Sequence, residues 1–195
     1  ARVRYISTDA ISSMWSDSVR FTTKSTFLPT GEISKLMAYD LDIGRHYGVC
    51  LSISRNGLFL AVGDPLALNS QGIQKGAVYI YKKADFRFQL YAKITPGSET
   101  LGVYGAFGSS VDISDNGEKL VVGAPLFGTL GYGAAYIYVL SPSGYLLEQL
   151  LEPVLATNQQ GFGTEVKITP RSEIVAIGSR LNRVDTYYYL QGTWN

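Results

Sequence analysis

Two kinds of short apolar pattern alternate along the chain. In the segment SVDIS (110–114), Val111 and Ile113 fall on one face and the polar residues fall on the other, as in a half-buried β-strand. The runs FLAVG (59–63) and KLVVG (119–123) are continuously apolar, as expected of strands covered on both faces. Gly and Tyr number 21 and 14 among the 195 residues, and they favour tight turns and strands respectively. The pattern predicts an all-β chain.

The same order of elements recurs three times. Each copy begins with an aromatic residue and a glycine, continues through an alternating and a continuous apolar strand, and reaches a Tyr-rich third strand (47–81, 107–138 and 162–189). A fourth strand alternates again, and in the first copy the pattern places these residues on one face: Phe88, Leu90, Ala92 and Ile94. Four-stranded repeats of this size with glycine and aromatic markers are typical of β-propeller blades.

Asn-Gly pairs connect the first two strands in two of the copies, at Asn56-Gly57 and Asn116-Gly117. Such a pair is the strongest short hairpin signal, because a type I′ turn needs a positive φ at both positions. The sequence therefore predicts a type I′ hairpin in the first and second copies.

The repeat sets the domain boundaries. Residues 1–18 match no copy and are left unassigned, and the repeat domain covers 19–195. It is divided into a half blade and three blades at 19–37, 46–95, 106–152 and 161–195. The last segment stops where a fourth strand would begin, so the sequence predicts about three and a half blades.

The markers resemble those of FG-GAP repeats, the blades of the integrin alpha-subunit head. The residues that carry the resemblance are Tyr47, Gly48, Gly63, Pro65, Phe107, Gly108, Gly123, Pro125, Phe162, Gly163 and Gly178. The resemblance implies a β-propeller of the non-calcium type, either partial or completed by association with another chain. A β-trefoil, which also closes with three units, is the alternative, although the separations of 60 and 55 residues between Gly48, Gly108 and Gly163 are long for it.

Calcium loops in integrin-like blades carry acids at alternate positions before a glycine. Here Asp112, Ser114 and Asn116 stand at alternate positions before Gly117 and form a weak calcium candidate. Calcium prefers six to eight oxygen ligands with several carboxylates, and only one carboxylate is present. The ligand count favours a solvated turn, so no metal and no cofactor are predicted.

Charge and cysteine content exclude several classes of protein. The 17 basic and 16 acidic residues give a net charge of +1, which argues against a nucleic acid or an anionic membrane as partner. No apolar run approaches the 18 residues of a membrane span. The single cysteine, Cys50, allows no intrachain disulfide and is expected to be a small core residue.

The sequence shows no catalytic constellation. His46 is the only histidine, so a histidine-dependent triad would have to use it, and no nucleophile motif or acid partner accompanies it. The sequence therefore predicts no enzyme, but a non-catalytic structural or protein-interaction module in a larger assembly such as a virion, a cell-surface structure or an organelle complex. The alternative is an adhesive or lectin-like propeller, for which the Tyr-rich strands make carbohydrate a possible ligand.

An incomplete ring would leave unpaired strand edges, which natural proteins usually cover. The sequence therefore predicts a protein partner or self-association. Extracellular or virion-associated localisation is favoured, with an organelle complex as the alternative.

Overall fold

A computed structural model describes residues 35–37, 46–69, 72–85, 87–97, 105–154, 160–180 and 182–195, all within the compact unit Ile33–Asn195. These residues form three four-stranded antiparallel sheets and no helix, each sheet with its strands in sequence order. The first sheet contains β1 (Cys50–Ile53), β2 (Phe59–Asp64), β3 (Ala77–Ala84) and β4 (Arg87–Ile94). The second contains β5 (Ser110–Ile113), β6 (Lys119–Ala124), β7 (Ala134–Ser141) and β8 (Gly144–Leu151). The third contains β9 (Glu165–Ile168), β10 (Ile174–Ser179), β11 (Arg183–Leu190) and β12 (Thr193–Trp194). The all-β prediction is confirmed.

The fourth strand of the third sheet is present, which corrects the prediction that the chain stops before it. Strand β12 has only two residues, and it pairs with β11 at Tyr189 and Leu190. The predicted segment 1–18 lies outside the described residues, as does the half blade 19–37 except for 35–37.

The Asn-Gly turns differ from the predicted type I′ geometry. Gly57 and Gly117 have φ angles of 68° and 79°, but the asparagines before them are not among the residues with positive φ. A serine side chain stabilises a longer loop instead: in the second sheet Ser114 accepts a hydrogen bond from the backbone N–H of Lys119 at 3.0 Å. Because the serine and asparagine side chains satisfy the loop amides, the asparagine needs no left-handed conformation.

A β-bulge interrupts the outer strand of the first two sheets. In the first sheet the register shifts between Ile80 and Tyr81, so Tyr91 has no direct partner on β3. The bulge reverses the alternation, and Phe88 and Ala92 pack on opposite sides of the sheet. The predicted single apolar face of β4 is therefore wrong, because a bulge adds one residue to the period of two.

The three sheets stack in series through two apolar interfaces. Between the first and second sheets, Ile80 belongs to one buried cluster with Val111 and Ile113. Between the second and third sheets, Ile137 belongs to another with Val166. We call the face that a sheet turns towards the next sheet in the sequence its trailing face. The face that it turns towards the preceding sheet is its leading face.

Glycine allows the sheets to approach closely at their inner ends. A Cβ atom added to Gly63 would lie 2.1 Å from the carbonyl oxygen of Gly108, and one added to Gly123 would lie 2.0 Å from that of Gly163. Because no side chain fits in this space, both positions require glycine. The marker glycines thus serve the packing between sheets.

Candidate functional site

We call the first strand of each sheet its inner strand; these are β1, β5 and β9. They follow one another along one edge of the stack, with β5 beside both β1 and β9. Each strand carries two side chains at equivalent positions, and those of β1 and β5 form hydrogen bonds with the following sheet. They are Cys50 and Ser52 on β1, Ser110 and Asp112 on β5, and Glu165 and Lys167 on β9. The alternation of each strand places them on the face opposite its Leu, Val or Ile residues. We call these six residues the inner-strand row.

Asp112 joins all three sheets. Its Oδ1 accepts a hydrogen bond from the Ser52 hydroxyl at 2.7 Å, and its Oδ2 accepts one from the backbone N–H of Ile168 at 2.9 Å. The Ser52 oxygen also accepts from the backbone N–H of Ile113 at 3.3 Å. Both carboxylate oxygens are therefore engaged in holding the inner strands together.

The first row residue of β1 and that of β5 each bind a glycine carbonyl. The Cys50 thiol donates to the oxygen of Gly108 at 3.2 Å, and the Ser110 hydroxyl donates to that of Gly163 at 2.9 Å. Burial raises the pKa of the Cys50 thiol to about 11, so it stays protonated at neutral pH and is a poor nucleophile. Cys50 is thus a half-buried hydrogen-bond donor between sheets, not the enclosed core residue that the sequence predicts.

The third sheet ends the row with two charged side chains. Glu165 and Lys167 form an ion pair at 3.3 Å, and their side chains are 66% and 64% exposed. Their charges extend to Cys50, where the carboxylate raises the thiol pKa and the ammonium lowers it. The row therefore combines an exposed carboxylate–ammonium ion pair with the hydrogen-bonded pair of Ser52 and Asp112.

The structure separates the three residues of the weak calcium candidate. Asp112 faces the neighbouring inner strands, whereas Ser114 donates to the Oδ1 of Asn116 at 3.0 Å and both close their own turn. The same asparagine oxygen accepts from the backbone N–H of Glu118 at 3.0 Å. Among the described residues, no group of three His, Cys, Asp or Glu side chains is placed to hold a metal ion.

Two of the aromatic markers, Phe107 and Phe162, lie in the apolar interfaces between the sheets. Phe107 and Phe162 are 1% and 0% exposed, and Phe107 makes an edge contact with Tyr136 at 5.1 Å between ring centroids. His46 is exposed, beside the start of the first sheet. The structure therefore places the markers in packing positions.

A second polar cluster connects the third sheet to the second, and sequence reasoning missed it. Glu148, at the bulge of β8, accepts hydrogen bonds from Lys119, from the Trp194 indole at 3.0 Å and from the Tyr189 hydroxyl at 3.3 Å. The Lys119 ammonium lies 4.2 Å from the centroid of the Tyr189 ring. The bulge turns the Glu148 side chain to the face opposite the one that strand alternation predicts. The alternating pattern of the sequence therefore could not predict this cluster.

No family model matches the sequence, and no curated protein matches it either. Among solved structures, the chain is similar to a protein named as a 6-phosphogluconolactonase from Bacteroides uniformis ATCC 8492. The two are 18% identical with a TM-score of 0.52, and the match covers 74% of this chain and 37% of that chain. At this identity the likeness concerns the fold, and this chain spans little more than a third of the other.

This comparison overturns two predictions. The prediction that the chain is not an enzyme is contradicted, because its fold is similar to that of a protein named as an enzyme. The predicted non-catalytic module, with its integrin-like and assembly-subunit description, is contradicted on the same ground, and the adhesive or lectin-like alternative shares its non-catalytic premise. A histidine triad or a metal site is not required for catalysis, because carboxylates also perform acid–base chemistry.

Membership of the FG-GAP family stays a prediction, because the solved structure neither supports nor opposes it. No described residue belongs to a helix long and apolar enough to cross a membrane. The expectations about nucleic acid, protein partners and localisation likewise stay predictions.

Proposed function

We propose that the three sheets are consecutive blades of a β-propeller. Serial stacking through equivalent faces supports this architecture, as does the neighbouring arrangement of the inner strands. The β-trefoil alternative is less well supported, because the strand ladders of the described residues stay within each sheet and only isolated bridges, such as that between Gly133 and Phe162, join different sheets.

We further propose that the chain is part of an enzyme that hydrolyses a lactone of a phosphorylated sugar at the inner-strand row. The observation that carries this proposal is the pair of exposed charged groups, Glu165 and Lys167, at the end of the row. The substrate class is taken from the name of the solved structure that shares the fold.

The proposed chemistry assigns one role to each charged group. The Lys167 ammonium binds the phosphate of the substrate by charge attraction. The Glu165 carboxylate takes a proton from water while the water oxygen bonds to the lactone carbonyl carbon. The bond from that carbon to the ring oxygen then breaks, and the ring oxygen receives the proton, which yields the open hydroxy acid. Asp112 does not act as the base, because both of its carboxylate oxygens already accept hydrogen bonds. It is a positioning residue, which holds together the inner strands that carry the row.

Hydrolysis of 6-phosphogluconolactone by the purified chain, measured against the spontaneous rate, tests this proposal. We expect acceleration that falls about 100-fold or more in Glu165→Gln, the usual loss when a general base is removed. Lys167→Ala is expected to raise KM more than it lowers kcat, because it removes a binding contact. The control is Asp115→Asn, at a turn away from the row. No acceleration by the folded chain, or full activity in Glu165→Gln, would contradict the assignment.

A further inference from the structure

The inner strand of the first sheet has an open apolar side. Leu51 and Ile53 are 65% and 53% exposed, and Val49 beside them is 56% exposed. The equivalent residues of the second sheet, Val111 and Ile113, are only 4% and 6% exposed, because the first sheet covers them. Strand β1 thus carries the residues of an interface between sheets, and no strand among the described residues covers them.

The opening is confined to this strand. On the same face, Val62, Tyr79 and Tyr81 are at most 5% exposed and form a buried cluster. Leu36 packs against that cluster. The open area therefore has the width of an inner strand rather than of a whole sheet.

The two existing interfaces define what covers an inner strand. In each, a hydroxyl or thiol of the preceding strand donates to the carbonyl of the marker glycine, as Ser110 does to Gly163. Two residues further along the inner strand of the preceding sheet, a side-chain oxygen accepts a hydrogen bond from the backbone N–H of the isoleucine that ends the covered inner strand. Asp112 accepts from Ile168 in this way. A donor side chain followed two residues later by an acceptor side chain is the shared pattern.

We propose that β1 is a docking edge for the inner hairpin of a further repeat that carries this donor–acceptor pattern. The hairpin would cover Leu51 and Ile53 and place its two polar side chains against the carbonyl of Gly48 and the N–H of Ile53. These are the groups equivalent to those bound in the second and third sheets. The occupant is thus a strand pair with a Ser-x-Asp or Cys-x-Ser sequence.

The third sheet of a second copy does not have this pattern. Glu165 stands at the donor position and Lys167 at the acceptor position, so both polar contacts would be reversed. The backbone differs as well, because Asn182 occupies the place of Gly76 and Gly133. A Cβ atom on Gly76 would lie 2.1 Å from the carbonyl oxygen of Phe107, so an asparagine there obstructs the same close approach. Head-to-tail pairing of two copies is therefore excluded as the cover of β1.

A cyclised synthetic hairpin with the sequence of residues 109–124 serves as the probe, since it carries the pattern at Ser110 and Asp112. Fluorescence anisotropy of the labelled hairpin with the full chain measures binding. We expect saturable binding that weakens at least tenfold when the peptide carries Glu and Lys at those two positions. The chain variant Leu51→Glu is expected to weaken binding by at least the same factor, because it introduces a charge under the docked strand.

The matched control is Leu130→Glu. It changes a leucine of similar exposure (53%) that lies in a loop of the second sheet and not on the face of β1. It is expected to bind the hairpin like the unchanged chain. Absence of saturable binding would overturn the proposal, as would binding that is indifferent to both the peptide and the Leu51 changes. The proposal does not depend on lactone hydrolysis, so each can fail while the other stands.

Discussion

Replacement of Asp112 tests whether the inner-strand row holds the sheets together. Asp112→Ala removes two hydrogen bonds to a carboxylate, at 2.7 and 2.9 Å, and leaves the N–H of Ile168 without its acceptor. Hydrogen bonds to charged groups contribute about 1.5–3 kcal/mol each. The Ser52 hydroxyl can turn to water, so we expect a loss of about 3 kcal/mol in the free energy of unfolding.

Asp112→Asn provides the comparison that isolates hydrogen bonding from shape. Its amide oxygen can still accept from Ile168, and its NH₂ group can donate to Ser52, whose hydroxyl can reverse. We expect this variant to lose only about 1 kcal/mol, since the bonds persist without the charge.

Urea unfolding followed by intrinsic fluorescence measures these differences, with Asp115→Ala as the control. Asp115 forms an exposed ion pair with Arg55 at 3.5 Å, and such pairs contribute at most about 1 kcal/mol. If Asp112→Ala costs no more than Asp115→Ala, or if the alanine and asparagine variants are equally stable, the role assigned to Asp112 is refuted.

Three further predictions concern packing, pH and reactivity. Gly123→Ala should destabilise the chain by about 3 kcal/mol or more in the same urea assay, whereas Gly178→Ala, whose nearest neighbouring atom lies 3.5 Å away, should be nearly neutral. Burial tends to raise the pKa of Glu148, but hydrogen bonds from Lys119 and two aromatic side chains hold it below its ordinary 4.5. A carboxylate whose pKa is lowered by folding stabilises the folded state above its ordinary pKa, and this stabilisation is lost as the carboxylate becomes protonated. The difference in the free energy of unfolding between the unchanged chain and Glu148→Gln should therefore shrink as the pH falls below about 4.5. Because burial raises the pKa of Cys50 to about 11, a thiol reagent at pH 8 should label it far more slowly in the folded chain than in urea, and equal rates would contradict its placement.

The sequence predicts the strands well because their signals are local. The alternation at Val111 and Ile113 and the continuous run 119–123 both appear in the structure as strands, and the run has the expected burial. The strand at Ser110 is more buried than the half-buried strand that the alternation predicts, because Ser110 packs against the next sheet. These features depend only on the period of a strand and on the composition of its faces.

The sequence predicts local backbone geometry poorly where side-chain hydrogen bonds or a bulge change it. The asparagines of the two hairpin turns avoid positive φ because Ser54 and Ser114 satisfy the loop amides. The bulge residues Tyr91 and Glu148 reverse the alternation of their strands, and nothing in the period of two marks them beforehand.

The candidate site could not be assembled from the sequence because its members are far apart along the chain. Ser52 and Asp112 are 60 positions apart, and their hydrogen bond exists only because equivalent strands of successive sheets lie side by side. The repeat alignment does place Ser52, Asp112 and Lys167 at one equivalent position, which is the signal that could have identified the inner-strand row. The calcium-loop interpretation grouped Asp112 with Ser114 and Asn116 of its own turn rather than with Ser52 of the preceding copy.

Methyl–methyl nuclear Overhauser contacts test the serial stacking of the three sheets most directly. The account predicts cross-peaks between Ile80 and Val111 across the first interface, and between Ile137 and Val166 across the second. It predicts none between Ile80 and Val166, because the second sheet lies between them. Cross-peaks joining the first and third sheets, or their absence at both interfaces, would contradict the stacking on which the proposed blades and the inner-strand row depend.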